Sequence, residues 1–152
     1  FKKDQIHLKY SKTELVSSPE AINHPIFREV FMELGMKGIE ISSTADIPSG
    51  TGLGSSSSFT VGLYHCLNAY GNNYCNKAFL AEKACELEIQ KLKEPIGKQD
   101  QYAAAFGGLN LIRFEPNGNV LVEPVLITKD RLRSLEKNLL MFCQLFLYNK
   151  CC

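Results

Sequence analysis

Apolar and polar residues alternate over residues 5–10 (Gln-Ile-His-Leu-Lys-Tyr), the two-residue period of a half-exposed strand. Residues 11–24 are mostly polar and read as a loop with at most one helical turn. His24-Pro25 then opens a helix over residues 26–34: Ile26, Val30, Phe31 and Leu34 share one face, Pro25 suits the first turn, and Gly35 and Gly38 close it. Residues 38–45 return to a strand pattern. After a glycine-rich interruption, residues 55–70 form a helix apolar on nearly every side, ended by Gly71-Asn72-Asn73, and residues 76–92 form a second, amphipathic one. Residues 109–114 and 120–125 make a hairpin around Pro116-Asn117-Gly118-Asn119, with Asn-Gly as the turn signal. Thr128 caps a short helix through Leu135, and residues 139–148 read as an apolar strand. This order predicts an α+β fold, a β-sheet with helices packed on one face in a two-layer sandwich.

Two departures from the pattern carry chemistry. In residues 76–92, Leu80, Ala81, Ala84, Cys85, Leu87 and Leu92 line one stripe, while Glu82, Lys83, Glu86, Gln90 and Lys93 take the other face. Glu88 falls inside the apolar stripe. An inward carboxylate is costly unless donors or a cation meet it, and Mg²⁺ is a partner of the right hardness. The second departure is the interruption itself, Pro48-Ser49-Gly50-Thr51-Gly52-Leu53-Gly54 followed by four serines. Alternate glycines permit sharp turns and close approach, and the serines present N–H and O–H donors to one oxygen-rich group. Because the serines run into a helix, an anion there also meets its unpaired N–H groups and the positive end of its dipole. Pro48, Gly50, Thr51, Gly52, Leu53, Gly54, Ser55, Ser56 and Ser57 are the candidate phosphate contacts. No Lys-Ser or Lys-Thr pair follows the last glycine, which excludes a Walker loop. The flanking strand and helix place the loop inside a folded core, unlike a Gly/Ser linker.

Composition narrows the function. The 152 residues are 45% hydrophobic and 22% charged, which suits one soluble domain, and a net charge of +1 provides no electrostatic basis for nucleic acid or an anionic membrane as partner. The apolar runs are far shorter than a bilayer span, so the expected location is the cytoplasm. Cys66, Cys75, Cys85, Cys143, Cys151 and Cys152 show no Cys-x-x-Cys spacing and are expected mainly as buried thiols; His7, His24 and His65 read as core or surface histidines. A chain that opens on Phe, with a strand almost at once, is expected to be cut from something longer.

Lys98-Gln99-Asp100-Gln101-Tyr102, followed by small residues to Gly108, suggests a short helix or turn lining a cleft. Phosphoryl transfer needs a triphosphate cradle, a divalent cation and a group that orients the attacking hydroxyl. The loop offers the first. Ser56, or Ser55 as second choice, can join Glu88 in holding Mg²⁺, and Asp100 can accept the hydroxyl proton. Lys98 lies beside that aspartate, and Gln99 and Gln101 are candidate substrate contacts.

Pro48, Gly52-Leu53-Gly54 and Ser55-Ser56 together resemble the second motif of the GHMP kinases, the small-molecule kinases of galactose, homoserine, mevalonate and phosphomevalonate. Gly97-Lys98-Gln99-Asp100-Gln101-Tyr102 resembles their Gly-x-x-Asp-Gln segment. The resemblance implies the N-terminal domain fold of that family, a loop that cradles ATP phosphates, a metal shared between a loop serine and Glu88, and Asp100 as base. Lys98 would replace a basic residue that many members supply from an N-terminal motif this sequence lacks. The likeness runs from about residue 8 to about residue 141, through Tyr10-Ser11, Glu14, His24-Pro25 and Arg28-Glu29, and is greatest to the sugar-phosphate branch. It implies ATP-dependent phosphorylation of D-glycero-D-manno-heptose 7-phosphate at the C1 hydroxyl. Another acceptor (fucose, galactose, mevalonate) and a truncated, non-catalytic nucleotide-binding module stay open. The family's third glycine-rich motif and C-terminal domain have no counterpart here, so residues 1–152 are expected to be one truncated domain, whose exposed sheet edge would favour a homodimer.

Overall fold

The computed structural model describes residues 4–46 and 51–141. Strand β1 (Ile6–Lys9) buries Ile6 and Leu8 completely and turns His7 and Lys9 toward Glu40 on its neighbour. It pairs antiparallel with β2 (Thr13–Val16) and parallel with β3 (Glu40–Ser42), in the order β2-β1-β3. β2 and a single 3₁₀ turn at Pro19–Ala21 replace the expected loop. The pattern hid this strand because its inward position holds Glu14 and its outward one Leu15, the reverse of the usual alternation. Glu14 tolerates burial through four hydrogen bonds, from the Tyr10 hydroxyl (2.6 Å), the Asn23 backbone N–H (2.7 Å) and side-chain amide (3.1 Å), and the His24 backbone N–H (3.2 Å).

Helix α1 (Pro25–Leu34) starts at His24, whose Nδ1 accepts from the Phe27 N–H, and ends at Gly35 in the left-handed conformation. It buries Ile26, Phe27, Val30 and Phe31. Helix α2 (Ser55–Tyr70) starts where the serines begin, with left-handed Gly54 as its first cap. It is not buried all round: Val61, Leu63, Tyr64 and Leu67 enter the core, while Gly62, His65, Cys66, Ala69 and Tyr70 are exposed. Cys66 is therefore a surface thiol, whereas Cys85 is buried and desolvation pushes its thiol up to about 11.

The expected helix over residues 76–92 is in fact two geometries. Helix α3 (Lys77–Cys85), capped by Asn76, passes into a π-helical turn at Glu86–Lys91, where the Leu92 N–H reaches back to the Leu87 carbonyl (2.9 Å). Helix α4 (Gln99–Phe106) follows, then the antiparallel hairpin of β4 (Asn110–Phe114) and β5 (Val120–Pro124) with Gly118 at its turn. Ile112, Val120 and Val122 of the hairpin pack on Ala81, Cys85 and Tyr102, which seats it against α3 and α4. Helix α5 (Lys129–Lys137), capped by Thr128, buries no residue. Leu139, Leu140 and Met141 carry no strand, and the remainder of the expected final strand lies outside the described residues. The larger core joins Ile6 and Leu8 to α1, α2, α3 and Leu87, and it leaves the start of α2 between α4 and the end of the sheet.

Candidate active site

The described part of the loop, residues 51–54, leads into α2 with Gly52 at φ 73° and Gly54 at φ 68°. Both are left-handed conformations that an L side chain adopts only under strain. Ser58 N–H closes the first helical hydrogen bond on the Gly54 carbonyl (2.9 Å), so Ser55, Ser56 and Ser57 form the opening turn, where N–H groups have no intrahelical acceptor. Asp100, in the first turn of α4, sits against this turn: a Cβ on Gly54 would lie 3.4 Å from its carboxyl carbon and from Oδ2. Pro48 and Gly50 lie outside the described residues.

Beneath the turn is Glu88, 1% exposed. Its Oε1 accepts from Ser56 Oγ (2.7 Å) and Thr60 Oγ1 (3.2 Å), and its Oε2 from Ser57 Oγ (2.8 Å) and Gln101 Nε2 (2.6 Å). Four donors meet the desolvation cost of the inward carboxylate. Ser56, Ser57 and Thr60 supply three of them because residues three and four apart share a helical face. Ser56 is at the exposed margin, and Ser57 and Thr60 are buried. The Ser56 hydroxyl and the Glu88 carboxylate make an oxygen-only donor set, the kind that hard divalent cations take.

Other expected site residues are placed differently. Ser57, a candidate phosphate contact, is buried with its hydroxyl committed to Glu88, which leaves its backbone N–H for that role. Gln101, expected to meet substrate, is 0% exposed and also serves Glu88. Lys98 is exposed and reaches across to the hairpin, donating to the Gly118 carbonyl (3.4 Å), and Gln99 is exposed beside it. Thr51, Leu53, Ser55 and Ser56 stay on the accessible side of the turn.

Sequence reasoning missed the wall next to the serines. A groove of about 630 Å³ opens there, lined by Tyr10, Ser11, His24, Ile26, residues 43–45, Ser55, Ser56 and Phe59. Its rings are in contact, Tyr10 and His24 edge to face with centroids 4.9 Å apart and His24 and Phe59 tilted with centroids 5.4 Å apart. Glu14 fixes the wall from behind. The hydrogen bond to Glu14, with burial, pushes the Tyr10 hydroxyl up to about 12. Burial pulls His24 below its ordinary range despite the nearby Glu14 charge, which favours the neutral ring. The signal for this wall was the closeness of Tyr10, Glu14 and His24 in sequence, since a buried acid needs local donors.

The α+β domain thus holds a glycine-and-serine turn at a helix start, with the Glu88 and Asp100 carboxylates converging on it. The profile of the GHMP kinases N terminal domain matches residues 21–108, and the chain belongs to that family. It is 33% identical over 119 residues to D-glycero-alpha-D-manno-heptose 7-phosphate kinase of Campylobacter jejuni, covering 77% of this chain and 35% of the relative. It is 35% identical over 106 residues to galactokinase of Pyrococcus furiosus, covering 66% of this chain and 29% of the relative. In three dimensions it resembles a D-glycero-D-manno-heptose 1-phosphate kinase from Bacteroides thetaiotaomicron, with a TM-score of 0.80 at 25% identity, covering 90% of this chain and 49% of that one. The chain thus spans about a third of the curated relatives it matches.

Proposed function

We propose that this chain is the nucleotide-binding part of an ATP-dependent sugar-phosphate kinase, acting on D-glycero-D-manno-heptose 7-phosphate at the C1 hydroxyl to give the 1,7-bisphosphate. The observation that carries this reading is the convergence on one helix start: Glu88 holds the Ser56 hydroxyl while the Asp100 carboxylate stands against Gly54. The turn and the N-terminus of α2 hold the triphosphate through backbone N–H groups and the helix dipole. Ser56 and Glu88 would hold Mg²⁺, which would supply positive charge against the transferred phosphoryl group. Asp100 orients the acceptor hydroxyl and takes its proton as the oxygen bonds to the γ-phosphorus and the bond to the β-phosphate oxygen breaks. The aromatic groove beside Ser55 and Ser56 has the size and the ring faces to seat the nucleoside.

The matched galactokinase favours a second reading, a kinase of the same family acting on a free sugar. Transfer of the γ-phosphate from ATP by the full-length protein to a panel of heptose 7-phosphate, hexose phosphates and galactose decides between them. The expected result is preferential transfer to the heptose phosphate, abolished by Asp100→Asn with Mg-ATP binding retained. Equal turnover in Asp100→Asn would remove Asp100 from the chemistry. Mg-ATP binding without transfer to any acceptor would leave only a binding module.

A further inference from the structure

We infer that Gln101 is a positioning residue, whose buried amide fixes the carboxylate of Glu88 toward Ser56. The inference deepens the kinase reading and rests on it. Gln101 is fully buried, and its Nε2 donates to Glu88 Oε2 at 2.6 Å, shorter than the contacts from Ser56, Ser57 and Thr60. Its other amide atom, Oε1, is buried with no hydrogen-bond partner in the described structure. An apolar residue of the same length would fill the space without an orphaned acceptor, but it would leave the buried Glu88 carboxylate one donor short. The one bond the amide makes is to that carboxylate.

Its place in the chain gives that bond a use. Gln101 and Asp100 are consecutive in the first turn of α4, so their side chains diverge by about 100° around the helix. One reaches Gly54 at the rim of the loop and the other reaches Glu88 beneath it. The start of α2 is thereby gripped on two sides by one helical turn. Groups that orient a metal's carboxylate ligand typically matter by about 10–100-fold in metal affinity or activity, without touching metal or substrate.

The test compares Gln101→Met, which keeps the length of the side chain, with Gln101→Leu, which shortens it; both remove the donor. ATP affinity is measured by calorimetry with and without Mg²⁺, alongside thermal melting and the exchange rate of the Gln101 side-chain amide protons. The expected result is a slowly exchanging amide in the parent chain and a gain in ATP affinity from Mg²⁺ that falls about tenfold or more in a folded Gln101→Met. ATP affinity without metal should stay close to that of the parent. A merely structural role would instead lower affinity with and without Mg²⁺ in parallel with melting temperature, and Gln101→Leu repeats the comparison if the methionine variant fails to fold. Unaltered Mg²⁺ dependence in either folded variant overturns the inference. If the parent binds no ATP at all, the kinase reading fails. The amide protons then decide the positioning alone, and exchange as fast as in an exposed glutamine overturns it.

Discussion

At the scale of single residues, the site depends on a carboxylate whose hydrogen bonds are all accounted for. Replacing Glu88 by Gln puts an NH₂ group where one of the carboxylate oxygens accepts two donors, so at least one buried donor loses its partner. Urea unfolding should show a loss of about 2–3 kcal/mol, and calorimetry should show loss of the Mg²⁺ effect on ATP binding. Gly54 is sensitive for a different reason. A Cβ there meets Asp100 at an ordinary contact distance of 3.4 Å, so the cost lies in its φ of 68°. Gly54→Ala should destabilise the fold by about 1 kcal/mol by the same unfolding measurement, and it should displace the turn that faces the anion.

At the scale of elements, helices α1, α2 and α3 and the π-helical turn are tied together on the side away from the loop by Glu33. Lys83 (2.8 Å), Lys91 (2.7 Å) and the Tyr64 hydroxyl (2.9 Å) all donate to it. Burial pushes the Glu33 carboxyl up, but the three hydrogen bonds outweigh it and bring it down from 4.5 to about 2. A carboxyl with a depressed folded value contributes stability above its unfolded value and loses it as pH falls through the folded one. Stability should therefore decline from about pH 4.5 toward about pH 2, and Glu33→Gln should flatten that part of the curve in thermal melts. Most elements were legible before any coordinates: β1, α1, the start of α2, the hairpin and the Thr128 cap each rest on local patterning or turn chemistry. β2 was not, because Glu14 occupies the inward position that a strand pattern reserves for an apolar residue. The π-helical turn was not, since an i→i−5 bond has no residue signature comparable to a cap or a turn glycine.

At the scale of the whole molecule, the net charge is only +1, and the donors that could meet an anion are concentrated at one helix start. No helix among the described residues is long and apolar enough to cross a membrane. The glycine-and-serine turn and the inward acid were readable because each breaks a pattern, glycine and serine inside a core and a charge inside an apolar stripe. The long-range roles of Ser57 and Gln101 were not, because their partner Glu88 lies 31 and 13 positions away. The most direct test of the account is a titration of the isotope-labelled chain with Mg-ATP, followed by backbone amide resonances. Saturable shifts concentrated at residues 51–57 and at Glu88 and Asp100 are predicted; an ATP-induced pattern elsewhere on the folded chain, or none at millimolar ATP, would contradict it.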